Sequence, residues 1–267
     1  MSIINNSYNI LLNDFKNIGI KKGDTIVVHS SLKSMGKVEG GAECVILALL
    51  EAVGKTGTLI MPTFTFTPCY DTSYFSNKET PSCVGIISET YRKMPGVYRT
   101  SHPTHSVAIS GKLASQLIKD NLLDDTPMGE HSPYRRLASV NAKILMLGCS
   151  LHSNSYMHAL EEEAGLEYAL REHQEYTVVD ENNNEYKRAI RRHNFVRPNG
   201  IVYQRYDRTL DVLDENDYKI SDIHGAKSVL INCVALKEKA FNKIKQNPLY
   251  FVDDPSGFYV NGCKHNL

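Results

Sequence analysis

The chain has 267 residues, 42% of them hydrophobic and 22% charged, with 30 basic side chains against 30 acidic. That length supports a sizeable buried core, and a net charge of zero excludes a whole-molecule field drawing in nucleic acid or a polycation. No apolar run approaches the ~20 residues that cross a membrane, so no membrane partner is expected.

The opening segment MSIINNSYNILLNDF lacks a basic stretch and a cleavage site, so no signal peptide is read and a cytoplasmic protein is expected. Residues 8–18 carry apolar side chains at helical spacing, and Gly19 is placed to end that helix. Thr25–His29 is a short apolar run with β-branched residues, the mark of a strand buried on both faces. A Ser- and Gly-rich loop follows, then a helix over Ala42–Val53 and a second buried strand over Thr58–Met61. This β-loop-α-β order is the unit of a parallel sheet.

Residues 62–82 form a long loop, a length usually tied to function. Helices are expected over Val84–Met94 and Lys112–Leu123, with a strand at Ser106–Ile109 between them. Ser132 and Pro133 suit the N-cap and first position of a short helix to Leu137. Lys143–Leu147 reads as a third buried strand and Ser155–Leu166 as a helix. From Tyr176 onward, stretches such as EYTVV and IVYQRY suggest antiparallel strands, and Lys227–Gln246 a long helix. The expected fold is α/β: one domain over 1–267, its central mostly parallel sheet flanked by helices, with an antiparallel extension.

Three constellations carry chemistry. His29–Gly36 (HSSLKSMG) follows the first buried strand. Loops at the carboxyl ends of parallel strands form binding crevices, and hydroxyls and backbone N–H groups there suit phosphate or amide ligands; a plain turn fits equally well. Arg99–Ser106 holds His102 and His105 around Pro103. That pair reads either as metal ligands, though no third ligand is near, or as histidines bonded to the backbone of a tight turn; no metal is expected. Third, His158 and Glu161 stand three apart at a helix start and share a face. A carboxylate on one imidazole nitrogen fixes the tautomer and sharpens the other nitrogen as a base; the plainer reading is a surface ion pair. Cys149 ends the third strand and could be a thiol nucleophile beside His152 or His158, or inert core. The six cysteines include no CxxC pair, which fits free thiols in a reducing compartment.

In order, GDTIVVHSSLKSMG at 23–36, GTLIMPTFTFT at 57–67, RTSHPTHSVAISG at 99–111, HSPYRRL at 131–137 and KILMLGCSLHSNSYMHALEEEAG at 143–165 resemble the aminoglycoside 3-N-acetyltransferase family, the antibiotic N-acetyltransferases. The likeness covers roughly residues 10–170. It implies an α/β fold distinct from the GNAT acetyltransferases, acetyl-CoA bound across the strand-end loops, and direct acetyl transfer to an amine. It also implies His158 as catalytic base and Glu161 as its orienting acid. Ser30, Ser31, Leu32, Met35 and Gly36 would hold the pantetheine and phosphates of CoA, with His102, Pro103, Ser106, Ser132 and Tyr134 in two further cofactor motifs. Ser155 replaces a frequent Thr and keeps the hydroxyl. The family's aromatic GVGW-like run is absent, the chain having GCSLHS there and no Trp.

The acceptor is expected to be a small-molecule amino sugar, and a homodimer stays open. Family aminoglycosides are polycations, whereas Lys187, Arg188, Arg191, Arg192, Arg197, Arg205 and Arg208 face only Asp207 in sequence. That run favours a nucleotide-linked amino sugar, because Arg suits a diphosphate, with Glu162, Arg191 and Arg192 as the expected substrate-binding residues. An aminoglycoside is the alternative, served by Glu161, Glu162, Glu163, Glu167 and Glu172. The run also reads as solvated surface or as part of the CoA phosphate site. A CoA-binding module without catalysis is the non-enzymatic reading.

Overall fold

Strand β1 (Thr25–Ser30) is buried along nearly its whole length, as its apolar run demands. It pairs in parallel with β2 (Thr58–Pro62) on one side and with β6 (Lys143–Leu147) on the other. These three parallel strands are the centre of a seven-stranded sheet. Antiparallel strands complete it on both flanks: β5 (Val107–Gly111) and β4 (Tyr98–Arg99) beyond β2, and β13 (Ala226–Asn232) and β12 (Tyr218–Ile223) beyond β6. The computed structural model describes residues 5–65, 73–193, 196–197, 200–254, 259–260 and 263–264.

Alternate side chains of these strands feed two cores. Ile26, Val28, Leu59, Met61, Leu145 and Leu147 face one way, against helices α1 (Asn6–Ile18), α2 (Gly41–Val53) and α3 (Ile86–Tyr91). Val27, Ile60, Ile109, Ile144, Met146 and Ile231 face the other, against α4 (Ala114–Ile118), α5 (Tyr156–Glu163) and α6 (Cys233–Gln246). Helices therefore cover both faces, as the sequence predicts for an α/β fold. Asn5 caps α1 by accepting from the Tyr8 amide, and Gly19 ends it in the left-handed region at φ 111°.

The expected extension is a smaller sheet in which β7 (Gln174–Val179) pairs antiparallel with β8 (Glu185–Ile190) and parallel with β3 (Tyr74–Ser76). Phe75, Tyr176, Val178 and Ile190 form its own core. Strand β3 also gives structure to the segment read as a long loop, of which residues 66–72 lie outside the described residues. Two antiparallel pairs follow: β9 (Val196–Arg197) with β10 (Gly200–Ile201), and β11 (Tyr203–Gln204) with β14 (Val252–Asp253). Pro255 and Gly257 fall outside the described residues.

Three expected helices differ. Residues 227–232 belong to β13, because the β-branched run Ser-Val-Leu-Ile fills the sheet beside β6. The helix starts only at Cys233, where Asn232 Oδ1 accepts from the Val234 and Ala235 amides. Residues 112–123 split into α4 and a 3-10 turn at Asn121–Leu123, separated by Asp120 at φ 62°. Residues 132–137 form successive turns closed by bonds such as Arg135 N–H to Ser132 O, not a helix.

Candidate active site

The carboxyl ends of β1, β2 and β6 meet at one edge of the sheet. Because β5 runs antiparallel to β2, the residues that precede β5 arrive at the same edge. A cavity of about 310 Å³ opens there, lined by His29, Ser30, Pro62, Phe64, Val84, His105, Cys149, His152, Ser153, Ser155, His158 and Gln204. Beside it, the Ser34 hydroxyl lies between the carbonyls of Ser31 and Gly148, at 2.8 and 2.6 Å, and its one proton is shared between them. Gly148 has φ 63°, and a Cβ there would run into Ser34 Oγ; only glycine lets the two strand-end loops close together.

His158 lies on the first turn of α5 and projects into this cavity. Glu161, one turn on, is fully buried and stands 3.5 Å from His158 Nδ1. The shared helix face predicted from the spacing is present, but a tyrosine joins the pair. Tyr206 Oη lies 2.9 Å from His158 Nδ1 and 2.5 Å from Glu161 Oε2. An ionised carboxylate only accepts, so the Tyr206 hydroxyl donates to Glu161 and its oxygen accepts from Nδ1–H. Tyr168 Oη donates to the other Glu161 oxygen at 3.0 Å. This network assigns the Nδ1–H tautomer. The lone pair on Nε2 is then presented toward the cavity, where Gln204 Nε2 approaches it at 3.4 Å. A general base needs this arrangement. Tyr206→Phe is expected to lower turnover by ~10- to 100-fold through loss of the bridge, with the Michaelis constant for the acyl donor within twofold; unchanged turnover would show the bridge to be idle.

Other imidazoles surround the base. His193 stacks on His158 at 4.1 Å between ring centroids with an interplanar angle of 27°. His105 meets both edge-on, at 6.2 and 5.0 Å. Burial, reinforced by the other histidines, holds His105 and His193 well below the usual imidazole range. Burial, and then the nearby His158, lowers His29 to about 3, so its ring is neutral. Its Nε2 is buried with no hydrogen-bond partner among the described residues.

The remaining predicted residues divide into two groups. Ser30 lines the cavity; Ser31 opens the 3-10 turn Leu32–Met35, in which Met35 is buried and Gly36 closes with a bond to Lys33 O. His102, Pro103, Ser106, Ser132 and Tyr134 do not line the cavity. His102 Nδ1 accepts from the amides of Thr104 and His105, the backbone-bonded reading. The Pro103 carbonyl accepts from Thr65 Oγ1. The Ser106 hydroxyl donates to Thr63 O at 2.8 Å and is bonded by Arg99 Nε at 3.1 Å. Ser132 and Tyr134 are buried. Of the five, Tyr134 packs against the lining residues His29 and Phe64, at 6.4 and 6.3 Å between ring centroids.

The residues expected on the acceptor side are not among those lining the cavity. Glu162 does not face the cavity: its carboxylate accepts from the Met128 amide at 2.9 Å and pairs with His193 Nε2 at 2.6 Å. Arg191 Nε donates to Arg171 O, and burial-shifted Tyr176 feels the hydrogen bond of Arg192; neither arginine is among the lining residues. The rest of the basic run is largely neutralised. Lys187 pairs with Glu175, Arg205 with Asp207 and Asp253, and Arg208 with Asp253, while Arg188 bonds the carbonyls of Leu122 and Asp124. The side chains of Arg197 and Glu167 lie outside the described residues. Cys149 does line the cavity, yet burial pushes its thiol up to about 12; a protonated thiol is a poor nucleophile.

A profile of the family described as aminoglycoside 3-N-acetyltransferase matches residues 27–245. The chain belongs to that family. The SPbeta prophage-derived aminoglycoside N(3')-acetyltransferase-like protein YokD of Bacillus subtilis (strain 168) is 32% identical over 172 residues, 55% of this chain and 62% of that protein. Aminoglycoside N(3)-acetyltransferase IV of Salmonella sp is 32% identical over 166 residues, 61% of each. These alignments span about three fifths of the relatives' length. Among solved structures, a mutant of aminoglycoside acetyltransferase AAC(3)-IVa in complex with a gentamicin superposes with a TM-score of 0.78 at 24% identity, covering 95% of this chain and 94% of that one. The binary complex of AAC-IIIb with CoASH gives 0.77 at 22% identity, covering 90% and 96%. The family's α/β fold is therefore the fold of this chain, and no described helix is long and apolar enough to cross a membrane.

Proposed function

We propose that this family member transfers the acetyl group of acetyl-CoA to an amine of an aminoglycoside, with His158 as general base. The observation that carries the reading is His158 itself, set on the wall of the strand-end cavity with Nδ1 tied through Tyr206 to the buried Glu161. An acceptor amine arrives mostly as ammonium and must lose a proton before it attacks. His158 Nε2 takes that proton. The amine then bonds to the thioester carbon, the carbon–sulfur bond breaks, and the sulfur leaves as CoA thiolate. The second amine proton passes to the departing CoA thiolate as the amide forms, giving CoA thiol, so no acetyl-enzyme is required. Ser30 and the backbone of the loop to Gly36 suit the pantetheine arm, and the neutral, unpartnered His29 offers a polar contact at the cavity floor.

The relatives' names support the aminoglycoside as acceptor over a nucleotide-linked sugar. Charge supports it too. The basic run that favoured a diphosphate is taken up by ion pairs and carbonyls, and Asp207 and Asp253 stand beside the cavity residues His152 and Gln204. Asp207 and Asp253 are themselves balanced by Arg205 and Arg208, so this rim carries no surplus positive charge to hold a diphosphate. The test is kcat/KM from CoA thiol release with gentamicin and with a nucleotide-linked amino sugar, each at low and high salt. Efficient turnover of the aminoglycoside, weakened by salt, is expected. Turnover of the nucleotide sugar alone would overturn the acceptor assignment.

A further inference from the structure

Glu161 has a neighbour with a parallel arrangement. Glu162 follows it on α5 and pairs with a second imidazole, His193, at 2.6 Å. Both partners are 4% exposed at the side chain. The two imidazoles lie face to face at 4.1 Å. Two consecutive carboxylates on one helix thus each hold one ring of a stacked pair, one through Tyr206 and one directly.

We propose that Glu162 and His193 are positioning residues that set the orientation and proton affinity of the His158 base through this stack. The inference rests on the reading of His158 as the base. A carboxylate buried in this way has few neighbours to offset its charge. The Met128 amide and the Thr126 side chain bond Glu162, and Arg135 and His158 are its other polar neighbours. Around His193 stand His158, His102 and His105, all imidazoles. Around His158 stand Glu161, Tyr206, Gln204, His29 and His105. His193 Nδ1 is buried without a hydrogen-bond partner among the described residues, so the ring has only its Glu162 anchor and its stacking face.

Burial pushes Glu162 up to about 7 while it holds His193 far below its ordinary range. Stacked rings disfavour two imidazolium charges at once. When His158 takes the substrate proton, the buried Glu162 carboxylate, held beside the stack through His193, offsets the new imidazolium charge. Without Glu162 that compensating charge is lost and His158 holds its proton less tightly.

The test reads His158 directly, by titrating its Cε1–H resonance by NMR in the full chain, alongside the pH dependence of kcat/KM. Glu162→Gln is expected to lower the His158 midpoint by at least about half a pH unit. The acid limb of kcat/KM should move to lower pH with it, while the plateau falls about three- to tenfold. General damage would lower the plateau and leave the limb in place. His193→Phe keeps a ring against His158 and removes the imidazole; it is expected to shift the midpoint in the same direction and decides the matter if Glu162→Gln does not fold. A His158 midpoint unmoved in the folded variant overturns the proposal. The resonance is read without turnover, so a chain that fails to acetylate aminoglycosides but shows the shift contradicts the proposed function and leaves this inference standing.

Discussion

His158→Ala is expected to lower kcat by ~10²–10⁴, the usual contribution of a positioned base, with little change in acetyl-CoA affinity. The size follows from how much of the local structure serves this one ring. A fully buried carboxylate is held by two tyrosine hydroxyls, one of which accepts from Nδ1–H. Leaving Glu161 in place without the imidazole removes the base, while Ser30 and the loop from β1 that suit the donor are unchanged. The loss should therefore appear in kcat and not in the donor's KM. Raising the pH should partly rescue the variant, since more acceptor amine is then already unprotonated. Near-normal turnover at neutral pH would mean that another group takes the proton.

Thermal stability should fall steeply as the pH drops from about 6.5 to 5. His29 and His102 are held at about 3 by burial, and His105 and His193 well below the ordinary value. In the unfolded chain each takes up a proton near 6.5. Groups with a depressed native value stabilise the fold above 6.5 and lose that contribution as the pH falls. Glu162 works in the opposite sense: its raised value near 7 favours the folded state below about 4.5 and less so up to 7. Four protons taken up by the unfolded chain against one retained by the native state leave a net of about three. That corresponds to at most about 4 kcal/mol per pH unit, against a typical total stability of ~5–15 kcal/mol. Scanning calorimetry from pH 8 to 4.5 checks it, with a sharp decline in Tm below about 6 expected. A Tm flat down to pH 5 would mean that these imidazoles are not neutral in the native state.

What the sequence shows and what it hides follow from distance along the chain. Strands β1, β2 and β6 are legible because a strand covered on both faces must be apolar throughout, and the loops they end in are fixed with them. His158 and Glu161 are legible because their bond runs within one helical turn. Tyr206, Tyr168, Gln204 and His193 are not. Each reaches the site from another segment, and a lone tyrosine or histidine elsewhere in the chain carries no local signal. His105 was visible only as a neighbour of His102; it lines the cavity, while His102 Nδ1 binds the turn. Strand β13 was hidden because its short apolar run leads straight into α6, leaving Asn232 as the one readable boundary. The basic run misled because charge counted along the chain ignores Asp253, which reaches Arg205 and Arg208 only in the folded state.

Mass spectrometry of gentamicin after incubation with acetyl-CoA and the purified protein tests the central claim most directly. The account predicts one added acetyl group per aminoglycoside, with a rate reduced at least about a hundredfold in His158→Ala. An aminoglycoside recovered unmodified, or acetylated equally fast by His158→Ala, would contradict it.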